Sequence, residues 1–378
     1  MYIHLPSAAR QLGVALSPRT TTIRRAALSG GFGLLLYPPI AASVAAMRGL
    51  DHLTSRGFRD VEVREPVFVI SNPRSGTTFL HRLLCLDEDR FTWLKLWQTI
   101  LPSVSGYRTV QGLAKVDPWL GRPFGRLFGA IEKRAFGGWD GVHNMGFQSA
   151  EEEEAWFTLT WVTAANLMFF PDPERLDYLS FLDDMDAAVR RRVMDFHKTS
   201  VQRHLFAEGR GRQFLSKNVF MSGRVESVLE TYPDARIIQI VRHPYESLPS
   251  FCSMFTMPWA AHSPEIAKDS DEARYWARLG ARFYRRLLEL GRELPPDRFC
   301  TVRYDHLVAD PAGTVSSIYD QMGWDMTPDL LVRLEDDAAK RSKGYRSKHS
   351  YSLEEFGLTR EWIRDELGDV LDAYGFEA

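Results

Sequence analysis

The sequence predicts an α/β fold: a doubly wound, mainly parallel sheet flanked by helices, with helical insertions covering one side of it. Three observations carry this. Val67, Phe68, Val69 and Ile70 form an unbroken apolar run, as a parallel strand covered on both faces requires. Ala235 to Val241 (ARIIQIV) has the same character. Gln213 to Lys217 and Phe299 to Tyr304 complete a strand–helix–strand rhythm.

Taken in order, residues 1 to 25 are polar and basic, and Ala26 to Met47 then runs 22 residues without a charge. That length suffices to cross a bilayer. Gly30, Gly31, Gly33, Pro38 and Pro39 weaken it as a straight helix. Three readings stand side by side: a membrane-dipping or spanning anchor, an apolar helix packed on the main domain, and a removed targeting segment. Arg48 to Arg64 is a charged connector, so residues 1–60 are expected to form an N-terminal segment and 61–378 one catalytic domain.

The first strand breaks at Ser71, Asn72 and Pro73. Arg74, Ser75, Gly76, Thr77 and Thr78 then enter a helix carrying Phe79, Leu80, Leu83 and Leu84. A helix N-terminus offers unpaired amides and a partial positive charge. Gly76 lets the backbone approach a ligand, two threonines add hydroxyls and Arg74 adds a cation, which together make an oxyanion cradle. A nucleotide loop of the Walker type needs an earlier Gly and a Lys, and both are missing here.

Beyond the cradle, residues 101 to 140 read as an inserted helix-and-loop region over the sheet edge. Ser149 to Glu152 matches a capping box, opening a helix through Trp161. Acids at Glu151 to Glu154 complement the dipole of that helix. Four successive side chains cannot share one direction, so Glu152 or Glu153 is expected to face inward. Asp177 to Leu205 reads as an amphipathic helix, and Met221 to Glu230 as another. Arg242 stands at the carboxyl end of a core strand, where ligands of open parallel sheets gather. Pro249 is expected to restart the helix just before Ser250. Lys343 to Tyr351 is a dense basic and aromatic loop, suited through Lys348 and His349 to closing over a phosphate.

Composition narrows the function. Basic and acidic residues number 47 and 49, which leaves no nucleic-acid surface. Cys85, Cys252 and Cys300 lack paired spacing and read as core, which favours a reducing, cytoplasmic compartment and argues against a zinc site.

Pro73-Arg74-Ser75-Gly76-Thr77-Thr78 resembles the 5′-phosphosulfate loop of sulfotransferases, which transfer a sulfuryl group from 3′-phosphoadenosine 5′-phosphosulfate (PAPS). Val241-Arg242-His243-Pro244 followed by Ser250 is similar to their 3′-phosphate site. Lys217 stands where the family places a lysine, and Tyr304 matches a tyrosine that lines the nucleotide. Tyr351 to Leu358, and the series Lys217-Asn218, Arg224, Tyr232 to Ala235 and Arg242, resemble a bacterial-type branch, related in motif to tyrosylprotein and cytosolic sulfotransferases. The resemblance spans roughly residues 60 to 375 and implies a P-loop-like fold, PAPS as co-substrate and no required metal. It implies that Arg74 to Thr78, Arg242, Ser250, Tyr304, Lys348 and His349 hold the donor, while Lys217 neutralises charge. A carboxylate, Glu152 or Glu153, takes the acceptor proton, with His143 the alternative because it stands where an acid is common. Ala150 stands where Pro is common. A lipid-like or other small hydroxyl acceptor is expected, with membrane association through residues 26–47 left open, as is the oligomeric state. The rival readings are a magnesium-dependent phosphotransferase and a non-catalytic membrane-bound scaffold.

Overall fold

The computed structural model describes residues 1–17, 22–136, 147–341 and 351–377. Its five strands are β1 (Val67–Ser71), β2 (Phe91–Thr92), β3 (Gln213–Lys217), β4 (Arg236–Val241) and β5 (Phe299–Arg303). They run parallel in the order β2-β3-β1-β4-β5. Val67 pairs with Leu215 on one side and Arg236 on the other, so β1 is central. The chain winds to one side of β1 and then to the other, which is the doubly wound pattern.

Alternation along β1 explains its unbroken apolar run. Val67 and Val69 pack with Leu80, Leu84, Val315 and Ile318, from the helices Thr77–Leu84 and Pro311–Met322. Phe68 and Ile70 pack on the opposite face with Val193, Val228 and Leu287, from Ala187–Glu208, Val225–Thr231 and Asp271–Glu293. Neither face of the strand meets water, so neither needs a polar residue.

The N-terminal segment is built into the largest core. Ala8, Val14, Tyr37, Ala41 and Val44 share a cluster with Trp156, Trp161, Phe251 and Trp276. Ile23–Thr54 is one continuous helical run. Its turns widen to the π type over Ala26–Gly30 and Phe32–Leu36. Pro38 and Pro39 follow directly, and neither can donate to a carbonyl one turn back. The expected weakness therefore takes the form of wide turns instead of a break.

Several boundaries differ from expectation. Ser149 does not cap a helix. Lys95 and Ala150 form an antiparallel bridge, and the Glu151 amide donates to the Leu94 carbonyl, so this stretch is extended. The helix begins only at Glu154 and ends at Thr160. The expected 177–205 helix starts at Ala187, where the Asp186 carboxylate accepts the Ala188 amide. Residues Val219–Gly223 form a tight turn before the helix at Val225. Pro249 lies inside Pro244–Thr256 and does not restart it. Residues 101–136 do form helices, and Val104–Val116 packs against Tyr37–Thr54, held by Asp51, which accepts the Val104 and Ser105 amides.

Candidate active site

The carboxyl ends of β1, β3, β4 and β5 bring the expected donor residues together. After Ser71 the backbone turns sharply, with Arg74 at φ 68° and Gly76 at φ 95°. Arg74 holds this left-handed conformation despite its side chain. Gly76 is needed for two reasons: its φ, and the Tyr304 ring, which would lie 2.6 Å from any Cβ placed there. The Phe79 and Leu80 amides donate to the Gly76 carbonyl, so the preceding amides lie outside the helical ladder at its N-terminal end.

Arg242 follows β4 and reaches this turn. Its guanidinium donates to the Arg74 carbonyl at 2.9 Å and lies 4.6 Å from the centre of the Tyr304 ring. Arg74 Nε donates to Ser250 Oγ at 3.2 Å. Arg74, Ser250, Arg242 and Tyr304 are thus linked by direct contacts around the Gly76 turn. Ser75 Oγ is buried beside them near the Tyr284 hydroxyl, with no hydrogen-bond partner of good geometry among the described residues. A buried orphan hydroxyl, a helix N-terminus and two guanidinium groups fit a ligand anionic at both ends.

Lys217 ends β3 and connects the cradle to the acidic run. It is only 2 % exposed. Its ammonium donates to Thr78 Oγ1 and to Glu151 Oε1, both at 3.4 Å, and stands 3.8 Å from Glu152 Oε2. Burial alone would lower the Lys217 pKa, but the charges of Glu152 and Glu151 outweigh it and raise the value, so the ammonium persists. His81 lies beneath, held neutral with a pKa of about 3 by burial and the charge of Lys217.

The four acids divide among three sets of partners. Glu153 turns inward, accepting from Ser216 Oγ at 2.6 Å, with His197 Nε2 at 3.6 Å. Glu154 accepts two bonds from the Arg224 guanidinium, at 2.7 and 2.9 Å, and a third from Asn218 at 2.8 Å. Glu151 accepts the Glu152 amide at 3.3 Å as well as Lys217. Among the described residues the one cation within 4 Å of the Glu152 carboxylate is Lys217, and the Glu152 side chain, 23 % exposed, is the most accessible of the four. Burial pushes its carboxyl up to about 7, with Lys217 opposing and the neighbouring glutamates reinforcing the rise. Of the two acids singled out in the sequence, Glu152 faces the lysine and Glu153 faces the core.

His143, Lys348 and His349 lie outside the described residues. Sequence reasoning missed Glu246, Glu151 and Tyr284. Glu246 Oε2 accepts from Arg242 Nε and a terminal nitrogen at 2.9 and 2.8 Å. It stands four residues after Arg242 at a helix start, a spacing that itself signals the pair. The Tyr284 hydroxyl donates to the Arg242 carbonyl and fixes that corner, and only the tertiary fold brings it there.

Such an arrangement at the ends of parallel strands suits an enzyme whose ligand carries anionic groups at both ends. Residues 66–328 match the family model described as Sulfotransferase family. The chain belongs to this family: it is a PAPS-dependent sulfotransferase. Similar proteins include the omega-hydroxy-beta-dihydromenaquinone-9 sulfotransferases Stf3 of Mycobacterium bovis and Mycobacterium tuberculosis. Each is 26% identical over 319 residues, covering 82% of this chain and 75% of the relative. Among solved structures, sulfotransferase STF9 from Mycobacterium avium superposes with a TM-score of 0.76 at 20% identity, over 99% of this chain and 93% of that one. STF1 from Mycobacterium tuberculosis H37Rv gives 0.73 at 21% identity, over 97% and 92%. These two share the fold.

Proposed function

We propose that this sulfotransferase acts on the hydroxyl of a lipid-like acceptor, with Glu152 as the base. One observation carries the choice of base. Of the carboxylates beside Lys217, Glu152 has the more exposed side chain, neither of its oxygens accepts a hydrogen bond from the described residues, and burial holds its pKa at about 7. A general base works best when its pKa lies near the working pH. Glu151 is spoken for by Lys217 and a backbone amide, and Glu153 by Ser216.

The donor supplies an activated sulfuryl group, whose in-line transfer leaves an electron pair on the adenylate phosphate. The Gly76 to Thr78 amides, Ser75 and Thr78 hold the sulfuryl and 5′-phosphate end. Arg74 belongs to that same end and reaches Ser250. Arg242 and Ser250 hold the 3′-phosphate end, and Tyr304 lines the nucleotide between them. Lys217 sets a buried positive charge between Thr78 and the acids. Glu152 accepts the acceptor's hydroxyl proton. The chain's work is positioning and electrostatics.

The lipid-like acceptor is supported by the Stf3 relatives, whose name specifies a hydroxylated menaquinone. The test is incubation of the purified protein with ³⁵S-labelled PAPS, a chelator and either ω-hydroxylated isoprenoid lipids or water-soluble phenols. Labelled lipid is expected. Label entering only the phenols would overturn the acceptor class, and label appearing only when magnesium is restored would overturn metal-free chemistry.

A further inference from the structure

The helix Ile23–Thr54 is built inside out. Its buried positions, Gly33, Tyr37, Ala41, Val44, Arg48 and Asp51, recur every three or four residues and form one inner stripe. That stripe is the more polar side. The Tyr37 hydroxyl donates to the Leu159 carbonyl, Arg48 donates to Ser200 Oγ and Thr199 Oγ1, and Asp51 pairs with Arg203 at 2.8 Å. At Gly33 a Cβ would come 2.5 Å from Leu12 and 3.1 Å from Trp161, so the helix backbone lies hard against the body. The outer side carries Leu28, Leu34, Leu35, Leu36, Pro38, Pro39 and Ile40, all exposed, with Leu35 at 74%. A surface helix of a soluble protein normally shows the opposite pattern.

A second set of exposed apolar residues continues from the helix Val104–Val116, which packs against Tyr37–Thr54. Leu113, Val116, Leu120 and Leu127 are exposed, and Trp119 is 90% exposed. The turn that presents Trp119 is held by the buried Asp117 carboxylate, which accepts the Phe124 and Gly125 amides at 2.8 and 2.9 Å. This is an ordered display of a tryptophan to solvent.

The exposed charges that belong to these two segments have one sign, although Glu265, paired with the buried Arg25, and Glu208, bonded to Gln111, reach them from other elements. Over 22–54 and 104–127 the exposed charged residues are Arg24, Arg108, Lys115, Arg122 and Arg126, whereas both carboxylates, Asp51 and Asp117, are buried. A second copy of the chain pairing through this face in a closed dimer would set the basic rim against itself. An anionic bilayer surface neutralises it, accepts the leucines and suits an interfacial tryptophan.

We propose that residues 23–54 and 113–127 dock the protein in the plane of an anionic bilayer, embedded in one leaflet and not crossing it. A spanning helix would have to tear the Arg48, Asp51 and Tyr37 contacts and the Gly33 packing out of the protein core. This inference does not depend on the acceptor being a lipid.

The test is sedimentation of the purified full chain with vesicles of phosphatidylcholine alone or with about one-third phosphatidylglycerol, followed by an alkaline carbonate wash. Binding is expected to favour the anionic vesicles, and the wash should release the protein. The double variant Leu35→Glu, Leu36→Glu should lose partitioning roughly tenfold or more, and Arg122→Glu, Arg126→Glu should lose the preference for anionic lipid. Calorimetry with adenosine 3′,5′-bisphosphate should give unchanged affinity for both variants, showing that they fold. Failure of the parent protein to bind either vesicle would overturn the proposal. So would retention after the wash, or a wild-type dimer that the leucine variant turns into a monomer while vesicle binding is absent.

Discussion

Replacing Glu152 by Gln removes one ionisable proton and almost no volume, and it should move turnover and stability in opposite directions. The Glu152 carboxyl rises from 4.5 to about 7 on folding, with burial the largest cause. A carboxyl raised in the folded state binds its proton more tightly there than in the unfolded chain. Its contribution to stability is fully present below pH 4.5 and is lost as pH rises through about 7. Above that, keeping it ionised costs roughly 2–3 kcal/mol, allowing for the part of the side chain that water reaches. Gln carries no such cost. The variant should therefore unfold at a higher temperature than the parent at pH 8 and at the same temperature near pH 4. As a positioned base Glu152 contributes about 10²–10⁴ in rate, so turnover should fall by that factor while donor affinity at pH 6 survives. Labelled-donor turnover and thermal scans at the two pH values check both halves. Glu153→Gln is the control: its acid is bonded to Ser216 in the core, so stability should fall more than turnover. Turnover of Glu152→Gln within about threefold of the parent, or a matching loss of turnover in a stably folded Glu153→Gln, would refute the assignment.

Two further substitutions probe the donor pocket. Gly76→Ala puts a Cβ 2.6 Å from the Tyr304 ring at a φ of 95°, so calorimetry should show donor affinity down at least tenfold and thermal scans a stability loss of about 1–3 kcal/mol. Glu246→Gln removes the carboxylate that now occupies Arg242, and donor affinity should rise about threefold at low salt, the gain shrinking as salt is added.

Sequence reasoning reached the parts of this protein that are local. β1 and β4 were legible as apolar, β-branched runs bounded by turn signals, and β3 and β5 from the strand–helix–strand rhythm around them. β2 was not, because Phe91 and Thr92 are too short for any period to show. The Gly76 turn was legible for the same reason of locality: strand, turn and helix follow one another within about twenty residues. The acidic run shows the limit. Glu151 to Glu154 looks like the first turn of a helix, and the dipole accounts for it. In the fold, Ala150 pairs with Lys95 and only Glu154 is helical, so the four carboxylates diverge. One meets Ser216, one Arg224 and two Lys217. Nothing within the run announces those partners, since each comes from another strand or turn. The N-terminal stretch is a third case. Its lack of charge was plain, but which side faces outward depends on Trp161, Leu159 and Ser200, more than a hundred residues away.

The position of Lys217 couples the two halves of the site. Its ammonium already contacts Thr78 on the donor side and Glu151 on the other, with Glu152 beyond. A donor bound in the cradle brings negative charge to the same ammonium, leaving less of its field for Glu152. Less attraction and more like charge both raise a carboxyl pKa, so donor binding should draw a proton onto Glu152. Linkage then requires that donor affinity fall as pH rises through 7 and above, because each binding event must first recruit a proton. Calorimetry with adenosine 3′,5′-bisphosphate between pH 7 and 9, where its phosphates have finished titrating, isolates this effect. Affinity should weaken several-fold across the window in the parent and stay flat in Glu152→Gln. The same coupling places the acid limb of kcat at higher pH than that of kcat/KM, since the first reports the donor-loaded enzyme. A pH dependence that persists unchanged in Glu152→Gln would assign the proton to another group and separate Lys217 from the base.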